Sequence, residues 1–170
     1  RRISERQRGN QARLPEGHGE YRYTGVDVTP ALLAEAMSRY GNEKVQFTCG
    51  DFLALDVPEV DYAIASGTFN LKLQEGDNYV FIEQVMRKAF RLCRAGFAFD
   101  FLSDKVDFSK ENTFHASPER LLGLAYRLSR NVAILNNYMP FEFSLFVFKD
   151  DSFDPSCTIF RRWLDLRGNG

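Results

Sequence analysis

Tyr23-Thr24-Gly25-Val26-Asp27-Val28-Thr29-Pro30 decides how this chain is read: β-forming residues run into one carboxylate, and Thr29-Pro30 then has the form of a helix start. A strand ending in an acid puts that acid at the carboxyl edge of a sheet. Open α/β folds bind ligands there, and a carboxylate suits the paired hydroxyls of a ribose. The signal recurs at Val45-Gln46-Phe47-Thr48-Cys49-Gly50-Asp51-Phe52, a short strand leaving through a Gly-Asp turn. Two such ends in succession point to one nucleoside site.

Outward from this pair the chain alternates strands and helices. Thr29-Pro30 opens a helix whose apolar face is Leu32, Leu33, Ala36, Met37 and Tyr40, closed by Gly41-Asn42. Val60 to Gly67 is nearly continuous in apolar residues, as in a buried parallel strand. Asn78 to Cys93 carries Tyr79, Ile82, Val85, Met86, Ala89, Phe90 and Cys93 at helical spacing, and a strand Phe97 to Leu102 follows Gly96. Ser117-Pro118-Glu119 starts a helix presenting Leu121, Leu122, Leu124, Ala125 and Leu128. Val132 to Leu135 and Phe141 to Phe148 are then joined only by Asn136-Asn137-Tyr138-Met139-Pro140, too short for a crossover helix, so these strands are expected to be antiparallel neighbours. Apolar residues on both faces of Phe141 to Phe148 make it an interior strand.

Composition narrows the function classes. The 170 residues are 44% hydrophobic with 16 phenylalanines, which predicts one globular domain with an aromatic core. A net charge of -1 argues against phosphate-backbone binding, so nucleic acid is not the expected partner. No apolar run reaches the ~20 residues of a membrane span, and the start lacks the apolar segment of a secretory signal; no membrane partner and a cytoplasmic location are expected. Cys49, Cys93 and Cys157 form no CxxC pair and are read as reduced, with Cys49 and Cys93 buried. Two distant histidines and no carboxylate cluster at ligand spacing predict no metal site. Residues 1–22, with six arginines, read as a basic irregular arm; residues 23–150 as the folded domain; residues 151–170, with Ile159, Phe160, Trp163 and Leu164, as a tail with the pattern of a short helix.

Parallel β/α units closed by one antiparallel hairpin, together with Asp27 and Gly50-Asp51-Phe52 at the strand ends, resemble the class I S-adenosylmethionine-dependent methyltransferases. Ala65 to Asn70, Ala98 to Phe101 and Tyr138 to Phe143 are also similar to a small, uncharacterised bacterial subgroup of them. The resemblance implies an α/β, three-layer Rossmann-like sheet, mostly parallel, with a C-terminal antiparallel hairpin, and S-adenosylmethionine as cofactor. It implies that Asp27, with Val28 beside it, holds the ribose; that Gly50, Asp51 and Phe52 hold the adenine; and that Ser66 and Gly67 lie beneath the methyl group. Asn70, Tyr138 and Glu142 would flank that group as candidate catalytic residues. The plainer readings are a loop cap for Asn70, an interfacial tyrosine for Tyr138 and a solvent-facing strand residue for Glu142. His115 is a further candidate base whose plainer reading is a surface loop histidine.

The chain departs from this family at its start. The glycine-rich loop expected ~20 residues before the ribose acid falls on Ser4 to Asn10, where only Gly9 is a glycine and no apolar strand precedes it. The first strand is therefore expected to be absent, in a truncated or altered chain, leaving two strand edges open to homo-oligomerisation. The loop after Val60 to Ala65 lacks the Asn-Pro-Pro-aromatic signature of nucleic-acid amino methyltransferases, which favours a small-molecule substrate. Methyl transfer to such an acceptor is the leading reading. The alternative is a catalytically inactive methyltransferase-like binding or assembly module. A nicotinamide enzyme fits less well, since it also needs the glycine loop and leaves the hairpin unexplained.

Overall fold

The computed structural model describes residues 21–152, which divide at Leu55/Asp56 into two compact units. The expectations for the basic arm before residue 21 and for the tail beyond residue 152, Cys157 included, lie outside the described residues, as does any first strand in the arm.

In the first unit, β1 (Tyr23–Asp27) and β2 (Val45–Cys49) are parallel and joined by α1 (Pro30–Tyr40). Gly25 stands opposite Phe47, whose ring lies where a Cβ at residue 25 would be, 2.6 Å away, so glycine makes room for the aromatic. Tyr23 meets the same ring edge-on at 6.0 Å. The expected apolar face of α1 exists in sequence but not in burial: none of its residues is buried, and Leu32, Met37 and Tyr40 are exposed. Among the described residues of this unit two strands offer too little surface to cover a helix stripe, and only Val45 is buried. Cys49, expected to be buried, is exposed for the same reason; Cys93 is buried.

In the second unit β3 (Val60–Ala65), β4 (Cys93–Leu102), β5 (Val132–Leu135) and β6 (Glu142–Phe148) form one sheet in the order β3-β4-β6-β5. β3 and β4 are parallel, while β6 runs antiparallel to both β4 and β5. The hairpin and the interior position of β6 are as the sequence predicts. α2 (Asn78–Leu92) is capped by Asp77, whose side chain accepts from the Tyr79 and Val80 N–H groups. α2 runs straight into β4, so the strand begins at Cys93 rather than after Gly96. At that junction Gly96 is required by contact: a Cβ there would lie 2.3 Å from the Val147 carbonyl oxygen.

Alternation along β4 and β6 sends Phe97, Phe99, Phe101, Phe143, Leu145 and Val147 to one face, where they are buried. Ile82, Val85, Met86 and Ala89 of α2 and Leu121, Leu124 and Ala125 of α3 (Pro118–Tyr126) complete this core. Phe69, from the loop after β3, stacks on Phe101 at 4.9 Å and meets Phe99 at 5.4 Å. β3 corrects a second expectation, because it is not a buried strand: Tyr62 is 65% exposed and Ile64 79%. These side chains pair with Gly96 and Ala98, on the face away from the phenylalanine core, which carries no second helix layer among the described residues of this unit.

Candidate functional site

Asp27 and Asp51 come to one end of the first unit. Asp27 ends β1 opposite Cys49 at the end of β2, and the Gly50 N–H donates to the Asp27 carbonyl at 3.0 Å. Gly50, at φ +151, then turns the chain so that Asp51 follows at the same carboxyl rim. Each carboxylate has one oxygen in a local turn: Asp27 Oδ1 accepts from the Thr29 N–H at 2.7 Å, and Asp51 Oδ1 from the Leu53 N–H at 2.8 Å. The Asp27 carboxylate thus closes a turn onto the backbone of Thr29, the helix N-cap, whose own side chain makes no capping bond. No described group bonds the second oxygen of either carboxylate, so each keeps an acceptor for a hydroxyl or amino hydrogen. Acceptors of this kind suit the hydroxyl and amino hydrogens of a nucleoside. Phe52 is half-buried beside Asp51, and the Val28 side chain faces solvent.

Ser66 and Gly67 follow β3 in the second unit, both exposed. Gly67 takes φ +74, and a Cβ there would meet nothing within 4 Å, so its backbone is open to close approach. Of the three catalytic candidates, Asn70 ties its loop inward, its carbonyl accepting from the Phe114 N–H at 3.0 Å. Glu142 opens β6 opposite Leu102, half-buried. Tyr138 lies between β5 and β6 with its hydroxyl 2.9 Å from Ser144 Oγ. His115 is less free than a surface histidine: Nδ1 donates to the Ser103 carbonyl at 2.7 Å and Nε2 lies 3.0 Å from Thr113 Oγ1.

Asp100 and Ser144 escape a motif-by-motif reading, although a carboxylate inside Phe97-Ala98-Phe99-Asp100-Phe101 and a hydroxyl inside Phe143-Ser144-Leu145 are polar breaks in apolar strands. They pair directly across β4 and β6, with Ser144 Oγ donating to Asp100 Oδ1 at 2.6 Å.

Burial pushes the Cys93 thiol up, away from nucleophilic use. Among the described residues no group of three or more His, Cys, Asp or Glu could hold a metal, and no helix is long and apolar enough to cross a membrane. A groove of about 340 Å³ between α2 and α3 lies on the helices and not at strand ends. Its Glu83 is bridged by Arg87 and Arg127, and its Arg120 stacks on Tyr79 at 3.6 Å.

Glu119 titrates far from its ordinary range. The Ser117 hydroxyl first, then a backbone N–H and Lys105, lower its pKa from 4.5 to about 2. A depressed folded-state value means that Glu119 stabilises the fold above about 4.5 and loses that contribution as pH falls towards about 2. Urea midpoints of the parent chain and Glu119→Gln are therefore expected to differ at neutral pH and to converge through that window.

Comparison with known proteins bears on family and fold. The methyltransferase-domain family matches residues 8–96. Rv1506c of Mycobacterium tuberculosis, provisionally named a methyltransferase, is 35% identical over 133 residues, covering 75% of this chain and 78% of its own length. Magnesium protoporphyrin IX methyltransferase from Synechocystis PCC 6803, crystallised with bound S-adenosylhomocysteine, superposes with TM-score 0.58 at 11% identity, over 75% of this chain and 64% of that one. The N-methyltransferase NodS from Bradyrhizobium japonicum WM9, also crystallised with S-adenosylhomocysteine, gives TM-score 0.56 at 13% identity, over 77% of this chain and 67% of that one. These superpositions show a shared Rossmann-like methyltransferase fold, and with the sequence matches they establish that the chain belongs to the methyltransferase-domain family.

Proposed function

We propose that this chain transfers a methyl group from S-adenosylmethionine to a small-molecule acceptor. The observation that carries the reading is the placement of Asp27 and Asp51 on one strand rim, each with an oxygen that no group among the described residues bonds. In this reading Asp27, beside Val28, accepts from the ribose hydroxyls. Gly50 shapes the turn that lets Asp51 accept from the adenine amino group beside Phe52. S-adenosylmethionine supplies an electrophilic methyl carbon, so the chain's own task is to bind and orient. Isothermal titration with S-adenosylhomocysteine tests this: a micromolar Kd supports methyl transfer, and no heat at millimolar ligand leaves the non-catalytic module.

Self-association belongs to the same proposal. β3 pairs only with β4 among the described residues, and its Tyr62 and Ile64 side chains are exposed, which supports edge-to-edge pairing between copies. Light scattering on the 170-residue chain is expected to give a mass above the monomer, and Ile64→Lys is expected to lower it; a monomer at high micromolar concentration would refute the idea.

A further inference from the structure

Asp100, Ser144 and Tyr138 form a directed chain of hydrogen bonds. Ser144 is buried at 9% exposure, and its one hydroxyl hydrogen is committed to Asp100 Oδ1, because an ionised carboxylate only accepts. The Tyr138 hydroxyl, 2.9 Å from Ser144 Oγ, must then be the donor in that contact. Donation therefore runs inward from Tyr138 to Ser144 to Asp100. The chain ends on a half-buried carboxylate, Asp100, with which no Lys, Arg or His among the described residues pairs. The outer end is open, with Tyr138 51% exposed. Asp100 sits two residues before the end of β4 and is adjacent in register to Phe99, the partner of Ala65 at the end of β3. The relay thus lies at the rim from which Ser66 and Gly67 emerge. A phenol that donates inward turns its oxygen lone pairs outward, and the partner they can take is itself a donor.

We propose that these three groups form a proton relay serving an acceptor that carries an O–H or N–H group, and that carbon and thioether acceptors are not its substrates. The proposal rests on the methyl-transfer reading. Tyr138 touches the acceptor; Ser144 and Asp100 act through it. As the acceptor's oxygen or nitrogen bonds the methyl carbon, the carbon–sulfur bond of the sulfonium donor breaks and its electron pair stays on sulfur. The acceptor proton passes to the Tyr138 oxygen, the phenol proton to Ser144 Oγ and the serine proton to Asp100, which ends as a neutral acid. Charge and atoms balance without an oxidant or reductant.

The competing account is a clamp that only holds the 136–141 loop, and Asp100→Asn separates the two. Asparagine still accepts the Ser144 hydrogen but cannot take up a proton. Hydrogen exchange on the 170-residue chain is expected to leave residues 136–141 as protected in Asp100→Asn as in the parent, and to expose them in Ser144→Ala. Transfer of labelled methyl to catechol, tyramine or aniline is expected to lose about a hundredfold in kcat in Asp100→Asn, the scale of a lost general base, with KM unchanged and partial recovery as hydroxide rises. Parent-like kcat in Asp100→Asn overturns the relay, as does loop exposure equal to that of Ser144→Ala. No transfer to any of the three probes, with S-adenosylhomocysteine still bound, overturns the relay and leaves the cofactor reading standing. Failure to bind S-adenosylhomocysteine removes the methyl-transfer reading, and the relay with it.

Discussion

Asp27→Ala is expected to abolish S-adenosylhomocysteine binding as measured by isothermal titration. A carboxylate that accepts from two hydroxyls makes two charge-assisted hydrogen bonds, each contributing about 1.5–3 kcal/mol. Losing both lowers affinity by about a hundredfold or more, at 1.4 kcal/mol per factor of ten. The alanine also removes the Oδ1 acceptor of the Thr29 N–H, a turn hydrogen bond worth about 1 kcal/mol to the approach into α1. Asp27→Asn distinguishes the two effects, because it keeps an oxygen for Thr29 while losing the charge. Affinity for Asp27→Asn is expected between that of the parent and that of alanine. Binding in Asp27→Ala within about threefold of the parent, well under one hydrogen bond's worth, would remove Asp27 from the site.

The second large effect is on stability. Phe101 is buried, stacked on Phe69 at 4.9 Å and on Phe143 at 5.4 Å. Its truncation to alanine leaves a ring-sized void among residues locked in two paired strands, and such changes cost about 3–5 kcal/mol. Against a total stability of about 5–15 kcal/mol, this is expected to lower the urea midpoint by about 2 M or to prevent folding outright. Tyr62→Ala is the contrasting variant. An exposed side chain on the uncovered face is expected to change stability by no more than about 0.5 kcal/mol, and a large loss there would mean that a layer covers that face.

Much of the second unit was legible because its signals are local. The spacing of Ile82, Val85, Met86 and Ala89 specifies α2, and the five residues between Leu135 and Phe141 allow only a hairpin. The rim aspartates were legible too, since a strand that stops at a carboxylate is written in consecutive residues. Burial was not, because it depends on which layers meet. The stripe of α1 and the apolar run of β3 read as interior, yet Leu32 and Ile64 are exposed because no described neighbour covers them. The Asp100–Ser144–Tyr138 chain was hidden for a related reason: its members lie 44 and 6 positions apart, and only the antiparallel register of β4 and β6 brings Asp100 beside Ser144.

The direct passage from Leu92 in α2 to Cys93 in β4 gears two elements together with no slack. One inserted residue at that joint would have to turn the helix by about 100°, swinging Ile82 and Met86 out of the phenylalanine layer, or slide β4 by one step and exchange its two faces. In the second case Asp100 would trade places with an aromatic neighbour. Length variation between relatives is therefore expected to spare this joint and to collect in the loops after β3 and β4, where added chain can bulge outward.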